Sequence, residues 1–135
     1  MILNLTQHNP TAEQVDAGVV SHPEAARIKE LLTFDTLDAC QEVRWRAKKL
    51  AALAVEFFRP DVVKRPHRWR YPDAPQVMIG GAPFLMGELE AQLKLKGLQP
   101  VYAFSTRVSV ESQAADGSVT KTNVFKHVGF YKAQS

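Results

Sequence analysis

The sequence predicts an α/β fold: a Rossmann-like, mostly parallel sheet flanked by helices and ending in an antiparallel β-hairpin. Two observations predict it. Short apolar segments alternate with helical ones from the N-terminus to residue 97, an order typical of parallel sheets. Two strand-like segments then follow on either side of "ADGS" at 115–118, a turn signal that joins consecutive antiparallel strands.

The elements are expected in the order β-α-β-α-α-β-α-β-β. In chain order they are strand 1–8, helix 11–18, strand 19–21, helix 23–32, helix 38–60, strand 76–81, helix 82–97 and strands 99–111 and 119–131. Residue types typical of helix ends support these boundaries. Thr11 with Gln14, and Asp38 with Gln41, have the spacing of a capping box, and Pro23 suits a first helical position.

One domain spanning residues 1–135 is expected, because a chain of this length with 45 % hydrophobic residues forms about one globular unit. No apolar run approaches the roughly 20 residues of a membrane-spanning helix. The N-terminus also lacks the basic-then-apolar layout of a signal peptide, and the single cysteine agrees with a reducing compartment. We therefore expect a cytoplasmic protein with no membrane partner.

Positive charge is concentrated in one segment. The net charge of +3 fits an anionic ligand without requiring one. Within the domain, the basic, Pro-rich loop 59–75 holds five Lys and Arg residues together with Trp69 and Tyr71. This loop is either solvated or a surface that binds RNA through its positive charge. The basic face of the helix 38–60 has the same two interpretations.

Candidate ligand-binding residues follow two of the predicted parallel strands, since ligands of open α/β sheets bind at the carboxyl ends of the strands. Thr6, Gln7 and His8 end the first strand, and Gly80 and Gly81 end the third. The glycines allow a phosphate to approach the backbone at a helix N-terminus, although a tight turn explains them equally well, and His8 also fits a turn or cap residue. No CxxC or HExxH spacing is present, so neither a metal nor another cofactor is expected.

The hairpin strands carry cationic and titratable side chains in their middle. Alternation places Arg107 and His127 on one face and Lys126 on the other, with the apolar side chains of that second face expected toward the core. This pairing requires an odd-numbered loop of three or five residues, with Gly117 in a left-handed conformation. A solvated outer face, on which Arg107 pairs with Glu111, fits the same pattern.

The segments "NLTQHNPTAEQ", "VMIGGAPF" and "YAFSTRVSVE … FKHVGFY" resemble, in this order, the small single-domain CRISPR-associated proteins of the ring-nuclease group. The resemblance spans most of the chain. It implies a Rossmann-like fold, a two-fold homodimer and a cyclic oligoadenylate as ligand, with cyclic tetra-adenylate expected here. Some members of this group cleave the ring, and others mainly hold it.

The resemblance also implies a site without metal. The residues implied as catalytic are His8, Arg107 and His127, and those implied as ligand-binding are Thr6, Gln7, Gly80, Gly81, Ser105 and Thr106. Ring cleavage in this group uses the ribose 2′-hydroxyl of the substrate as nucleophile, so the protein need not supply one. Arg107 would clamp a phosphate, and His127 or His8 would donate a proton to the leaving oxygen.

Two features depart from this group. Its members often carry a basic residue where this chain has Gly129, so one phosphate contact is expected to be missing. The basic loop 59–75 is also longer than the corresponding part of the group. It is either a solvated loop or a lid or dimer element in which Trp69 or Tyr71 would stack on an adenine. These departures leave two alternatives open: a non-catalytic module that sequesters or senses the same ligand, and a small RNA- or DNA-binding protein that uses the basic loop.

Overall fold

A five-stranded mixed sheet flanked by helices forms the structure, as the sequence predicts. The computed structural model describes residues 1–59 and 74–133. The strands are β1 (Ile2–Leu5), β2 (Val19–Ser21), β3 (Gln76–Ile79), β4 (Gln99–Gln113) and β5 (Val119–Lys132). The helices are α1 (Ala12–Asp16), α2 (Ala25–Leu32), α3 (Val43–Phe57) and α4 (Pro83–Leu95), with a 3-10 turn at Asp38–Glu42 before α3.

The strand order is β2-β1-β3-β4-β5. The first four of these strands are parallel, and β5 is antiparallel to β4. The chain leaves β1 toward β2 on one side, and later returns to place β3 on the other side of β1. The order therefore reverses between β1 and β3, and such a switch point is where open α/β sheets bind their ligands.

Most of the core lies on one face of the sheet. Period-two alternation points Leu3 and Leu5 of β1, and Val77 and Ile79 of β3, toward this face. Helices α2, α3 and α4 cover it with buried Leu, Ile, Ala and Met side chains. A smaller cluster on the opposite face consists of Ile2, Val19, Met78 and Val101, with Phe130 packed against them.

Only part of the predicted helix-end chemistry is present. The capping box of α1 is confirmed, because the Gln14 amide donates to Thr11 Oγ1 at 3.2 Å and the Thr11 amide donates to Gln14 Oε1 at 3.0 Å. The prediction for Asp38 is wrong: the cap position belongs to Leu37, whose side chain cannot accept a hydrogen bond, and a 3-10 turn forms there. Pro23 also precedes α2 instead of starting it. Among the described residues, no helix has the length and apolarity needed to cross a membrane.

The hairpin has the predicted parity. From Ser105 paired with His127 to Gln113 paired with Val119, the two residue numbers of every pair add to an even number. Five residues, 114–118, join the strands, and Gly117 has φ +89°. Both predictions are confirmed. A β-bulge next to Phe104 places one extra residue in β5, which brings Phe130 to the face of the smaller core cluster.

Beyond Phe104 the hairpin extends past the helices. We call residues 104–128 the arm. The prediction that its apolar side chains face the core is wrong, because Val108, Val110 and Val124 are 38 %, 45 % and 43 % exposed. In the described ranges, helices α2 to α4 pack on the sheet below this point, and alternation alone does not tell whether a strand face is covered.

Candidate functional site

A cleft of about 480 Å³ opens at the carboxyl ends of β1 and β3, and we call it the switch-point cleft. Five of the residues predicted from the sequence line it: Thr6, Gln7, His8, Gly80 and Gly81. Its other lining residues come from the start of α1 and from β3 and β4: Asn9, Thr11, Gln14, Met78, Ile79, Tyr102 and Ala103. The fold therefore brings the two predicted strand-end segments together.

Asn4 organises the loop that follows β1. Its side chain is buried, and its Oδ1 accepts hydrogen bonds from the amide of Thr6 at 3.0 Å and from the Thr6 hydroxyl at 2.7 Å. Its Nδ2 donates to the carbonyl oxygen of His8 at 2.9 Å. One buried amide thus holds both ends of the loop, and sequence reasoning missed this role. The available signal was a polar residue inside the apolar run of β1.

Thr6 and Gln7 shape the loop in ways that sequence reasoning did not foresee. The Gln7 Nε2 donates to the carbonyl oxygen of Leu32 at 3.1 Å and to Thr33 Oγ1 at 3.0 Å, which ties the loop to the end of α2. Its amide hydrogens are therefore used within the protein. The His8 side chain is exposed and is the titratable group of this loop at the rim of the cleft.

Gly80 and Gly81 form the opposite wall, and only one of them needs to be glycine. Gly81 has φ +147°, a conformation that side chains strongly disfavour. A Cβ atom at Gly80 would meet Thr6 Cγ2 at 3.7 Å, an ordinary van der Waals contact. Helix α4 begins two residues later, and its N-cap residue Ala82 makes no side-chain hydrogen bond. Pro83 has no amide hydrogen, and the Leu85 amide donates to the carbonyl oxygen of Ala82 at 3.0 Å. The Phe84 amide is therefore the first-turn donor that an anion could use.

Tyr102 is a second residue that sequence reasoning missed. It lines the cleft from β4, and its hydroxyl donates to Glu90 Oε2 of α4 at 2.5 Å. Burial, the hydrogen bond to Glu90 and the negative charge of Glu90 all raise the pKa of the Tyr102 hydroxyl above its usual range. The hydroxyl therefore stays protonated and keeps β4 joined to α4 beside the cleft.

Arg107 and His127 share one face of the arm, as predicted. Ser105 lies opposite His127, and Arg107 lies opposite Phe125, with its guanidinium carbon 5.6 Å from the centre of the phenyl ring. Arg107 and His127 are therefore diagonal neighbours, with Cα atoms about 7–8 Å apart. Thr106, paired with Lys126, lies on the other face of the arm.

His127 lies at the bulge, where the arm meets the body of the protein. Its backbone amide donates to Glu13 Oε2 of α1 at 3.2 Å, and its ring packs edge-on against Phe130 at 4.9 Å. Its Nδ1 atom is buried and has no hydrogen-bond partner among the described residues. Buried polar atoms are rarely left unpaired, so this Nδ1 marks an incomplete set of hydrogen bonds at the base of the arm.

The arm residues do not line the cleft. Ala103 is the last β4 residue of the lining, and Arg107 follows four residues later, about 13 Å farther along the strand. The structure thus forms two groups: the loop after β1 with the glycine corner in the cleft, and Arg107, Ser105 and His127 above it.

His22 lies outside both groups and has a structural role. It is buried, its Nδ1 accepts from the amide of Glu24 at 2.9 Å, and its Nε2 donates to the carbonyl oxygen of Leu53 at 3.0 Å.

Within residues 1–59 and 74–133, no three His, Cys, Asp or Glu residues are grouped as a metal site would require. Residues 60–73 of the basic loop lie outside the described residues.

Comparison with known proteins identifies the family of the chain. The family model described as the uncharacterized protein MJ1673 family matches residues 1–131, nearly the whole chain. No curated protein matches the chain, and no solved structure does.

Proposed function

This chain belongs to the uncharacterized protein MJ1673 family, and we propose that it is a homodimeric ring nuclease that binds and cleaves a cyclic oligoadenylate without metal. The observation that supports this most is that Thr6, His8, Gly80 and Gly81 meet in one cleft at the switch point of the sheet. Ligands of open α/β sheets bind at such a point. The resemblance of the same segments to ring nucleases provides the ligand class.

A phosphate fits the glycine corner. The backbone of Gly81 presents no side chain, and the Phe84 amide in the first turn of α4 has no side-chain cap. Such amides bind phosphate oxygens, and the positive end of the helix dipole favours the charge. The exposed ring of His8 lies at the rim of the same cleft, within the loop that Asn4 holds in place.

The separation between the cleft and the arm favours a ligand of several nucleotides. A mononucleotide bound at Gly81 would leave Arg107, about 13 Å beyond the cleft, without a partner. A ring of linked nucleotides presents phosphates to the cleft and to the arm at once. On the arm, Arg107 would bind a phosphodiester bidentately while its guanidinium stays beside the Phe125 ring.

Under this proposal, Arg107 and His127 are the residues that promote cleavage of the ring. The ribose 2′-oxygen attacks the adjacent phosphorus and loses its proton to solvent, the bond from phosphorus to the 5′-oxygen breaks, and a 2′,3′-cyclic phosphate forms. The guanidinium of Arg107 neutralises the charge that builds on the phosphate. A protonated His127 gives its proton to the 5′-oxygen, which contributes about a hundredfold or more to the rate.

The second candidate is a module that binds the same ring and does not cleave it. Two observations favour it: Arg107 and His127 lie outside the cleft, and Gly129 stands where the ring nucleases that the chain resembles often have a cation. Under this alternative the cleft holds the ligand, and the arm adds charge without catalysing a reaction. The alternative of RNA binding depends on the loop 59–75, of which residues 60–73 lie outside the described residues.

One assay separates these functions. The chain is incubated with labelled cyclic tetra-adenylate in a chelating buffer, and the products are resolved by chromatography. Ring nuclease activity yields linear fragments that end in a cyclic phosphate. Retention of intact ligand by the protein supports the non-catalytic module. Absence of both binding and cleavage contradicts the ring nuclease and the non-catalytic module alike. In a separate measurement, binding of linear RNA that falls steeply with added salt would support the RNA-binding alternative.

A further inference from the structure

One face of the arm is an exposed apolar surface, which we call the arm stripe. Its members share one side of the hairpin and are mostly β-branched: Phe104, Thr106, Val108, Val110, Thr120, Thr122 and Val124. Every one of them is exposed. Contiguous apolar surface of this kind marks a contact region on a soluble protein.

The arm is expected to be covered by a partner, because a hairpin with two uncovered faces has little stability of its own. A two-stranded hairpin is at best marginally stable in water, and it requires further strands or a packed face for stability. Below the bulge the same two strands meet this need, because they pack on the core through Val101 and Phe130. Above it, the ladder continues to Gln113 and Val119 with no helix of the described ranges over the stripe.

We propose that the arm stripe is the surface through which two copies of this chain associate, with the two stripes packed face to face. The proposal rests on the homodimer of the proposed function and names its interface. Sheet-on-sheet packing needs two pleated faces of similar length and texture about 10 Å apart. A second copy presents the same face of Val and Thr side chains with the same length.

The charges of the arm favour this arrangement. On the stripe face the described arm carries one charged side chain, Lys126, at the end near the body. Two stripes stacked antiparallel about a two-fold axis keep the two Lys126 side chains about 20 Å apart, well beyond the Debye length of about 8 Å. The opposite face carries Arg107 and the ion pair between Glu111 and Lys121, and is unsuited to be the apolar centre of an interface.

The size of the stripe predicts a dimer of moderate strength. With Ser112, Lys126 and Gly129 the stripe face has about ten residues, whereas a standard interface uses about 20–30 residues on each side. The stripe therefore forms the centre of the interface, and flanking residues of the body complete it. Packing through this face leaves Arg107 and His127, on the other face, free to bind ligand.

The oligomeric state tests the proposal directly. Sedimentation equilibrium of the full chain over about 1 to 100 µM should show a monomer–dimer equilibrium. Val110→Glu places a carboxylate within the stripe and should weaken association at least about tenfold, since a charge buried without a partner is strongly disfavoured. Ser109→Glu places the same carboxylate on the adjacent residue and the opposite face, and should associate like the original chain.

Circular dichroism checks that both variants fold. If Val110→Glu does not fold, Val108→Thr replaces one methyl group by a hydroxyl of similar size and should weaken association several-fold. A chain that stays monomeric up to about 100 µM overturns the proposal, as does equal association of the Val110 and Ser109 variants. A chain that dimerises through the stripe but neither binds nor cleaves cyclic tetra-adenylate would support the interface and contradict the proposed function. A monomer that cleaves the ring would contradict the interface and support the cleavage activity.

Discussion

The body of the sheet and the arm place the same residue type in opposite surroundings. Val77 and Val101 in the body are fully buried, whereas Val108 and Val110, on the continuation of β4, are 38 % and 45 % exposed. Both parts follow the alternation of side chains along a strand, and the pairing of β4 with β5 runs through both, from Val101 to Gln113. Within the described residues, helices α2 to α4 cover Val77, and Val101 packs in the smaller cluster on the opposite face. A strand pattern therefore indicates which side chains share a face, and tertiary packing decides whether that face is buried.

The largest expected effect is a difference in unfolding free energy between a variant of the body and a variant of the arm. Leu89→Ala in α4 removes a fully buried side chain and should lower the free energy of unfolding by about 2–5 kcal/mol. Val108→Ala in the arm should lower it by less than about 1 kcal/mol, because the site is partly exposed. Urea unfolding at a concentration where the chain is monomeric measures both. Similar losses for the two variants would contradict the division into body and arm.

His127 in the arm and His8 at the rim of the cleft can be compared by the effect of their substitution on the rate of ring cleavage. His127→Ala should lower the rate of ring cleavage about a hundredfold, because the leaving oxygen loses its proton donor, while ligand affinity changes little. His8→Ala, at the rim of the cleft, is the matched variant. Single-turnover cleavage and binding are measured separately for each. Equal loss of binding and turnover in His127→Ala would argue against its role as an acid.

Arg107 and Lys121 are two cations on the same face of the arm. Arg107→Ala should weaken binding of cyclic tetra-adenylate about tenfold to a hundredfold, since a charge-assisted hydrogen bond contributes about 1.5–3 kcal/mol. Lys121→Ala removes the same charge nearer the tip, where Lys121 pairs with Glu111 at 3.6 Å, and should change affinity less. Equilibrium binding of labelled ligand gives both values. Matching losses would show that Arg107 acts only through net charge.

The stability losses of alanine variants at Gly80 and Gly81 can also be compared, and a smaller difference is expected. Gly81→Ala should destabilise the chain by roughly 1 kcal/mol or more, because alanine does not fit a φ of +147°. Gly80→Ala meets only an ordinary contact with Thr6, so its effect should be smaller. Thermal unfolding of both variants provides the test, and a greater loss for Gly80→Ala would contradict this view of the corner.

The sequence supported the outline of this fold and missed the particulars that depend on distant contacts. The strand-end segments at Thr6–His8 and Gly80–Gly81, and the odd-numbered loop with Gly117, follow from local residue types and from alternation, and the structure has them. The bulge that moves Phe130 to the other face depends on a single extra residue, which alternation does not show. The roles of Asn4 and Tyr102 depend on partners elsewhere in the fold.

The smallest expected effect concerns the tip of the arm. The hydroxyl and the backbone amide of Ser118 donate to Asp116 Oδ1 at 2.7 and 2.9 Å and lower the pKa of this exposed carboxyl below its ordinary 3.8. Because the folded-state pKa is the lower one, the contribution of Asp116 to hairpin stability is present above about pH 4 and is lost as the pH falls through the folded-state pKa. An NMR titration should give a midpoint below 3.8, and a midpoint above it would contradict this tip structure.

The central claim is that one ligand spans the switch-point cleft and the arm. Amide NMR of the labelled chain, titrated with cyclic tetra-adenylate whose 2′-hydroxyls are methylated to prevent cleavage, tests this most directly. We predict saturable shifts at Thr6, Gly80 and Gly81 of the cleft and at Arg107 and His127 of the arm, with one common affinity. Shifts confined to one of the two groups, two different affinities, or no shifts at all would contradict the claim.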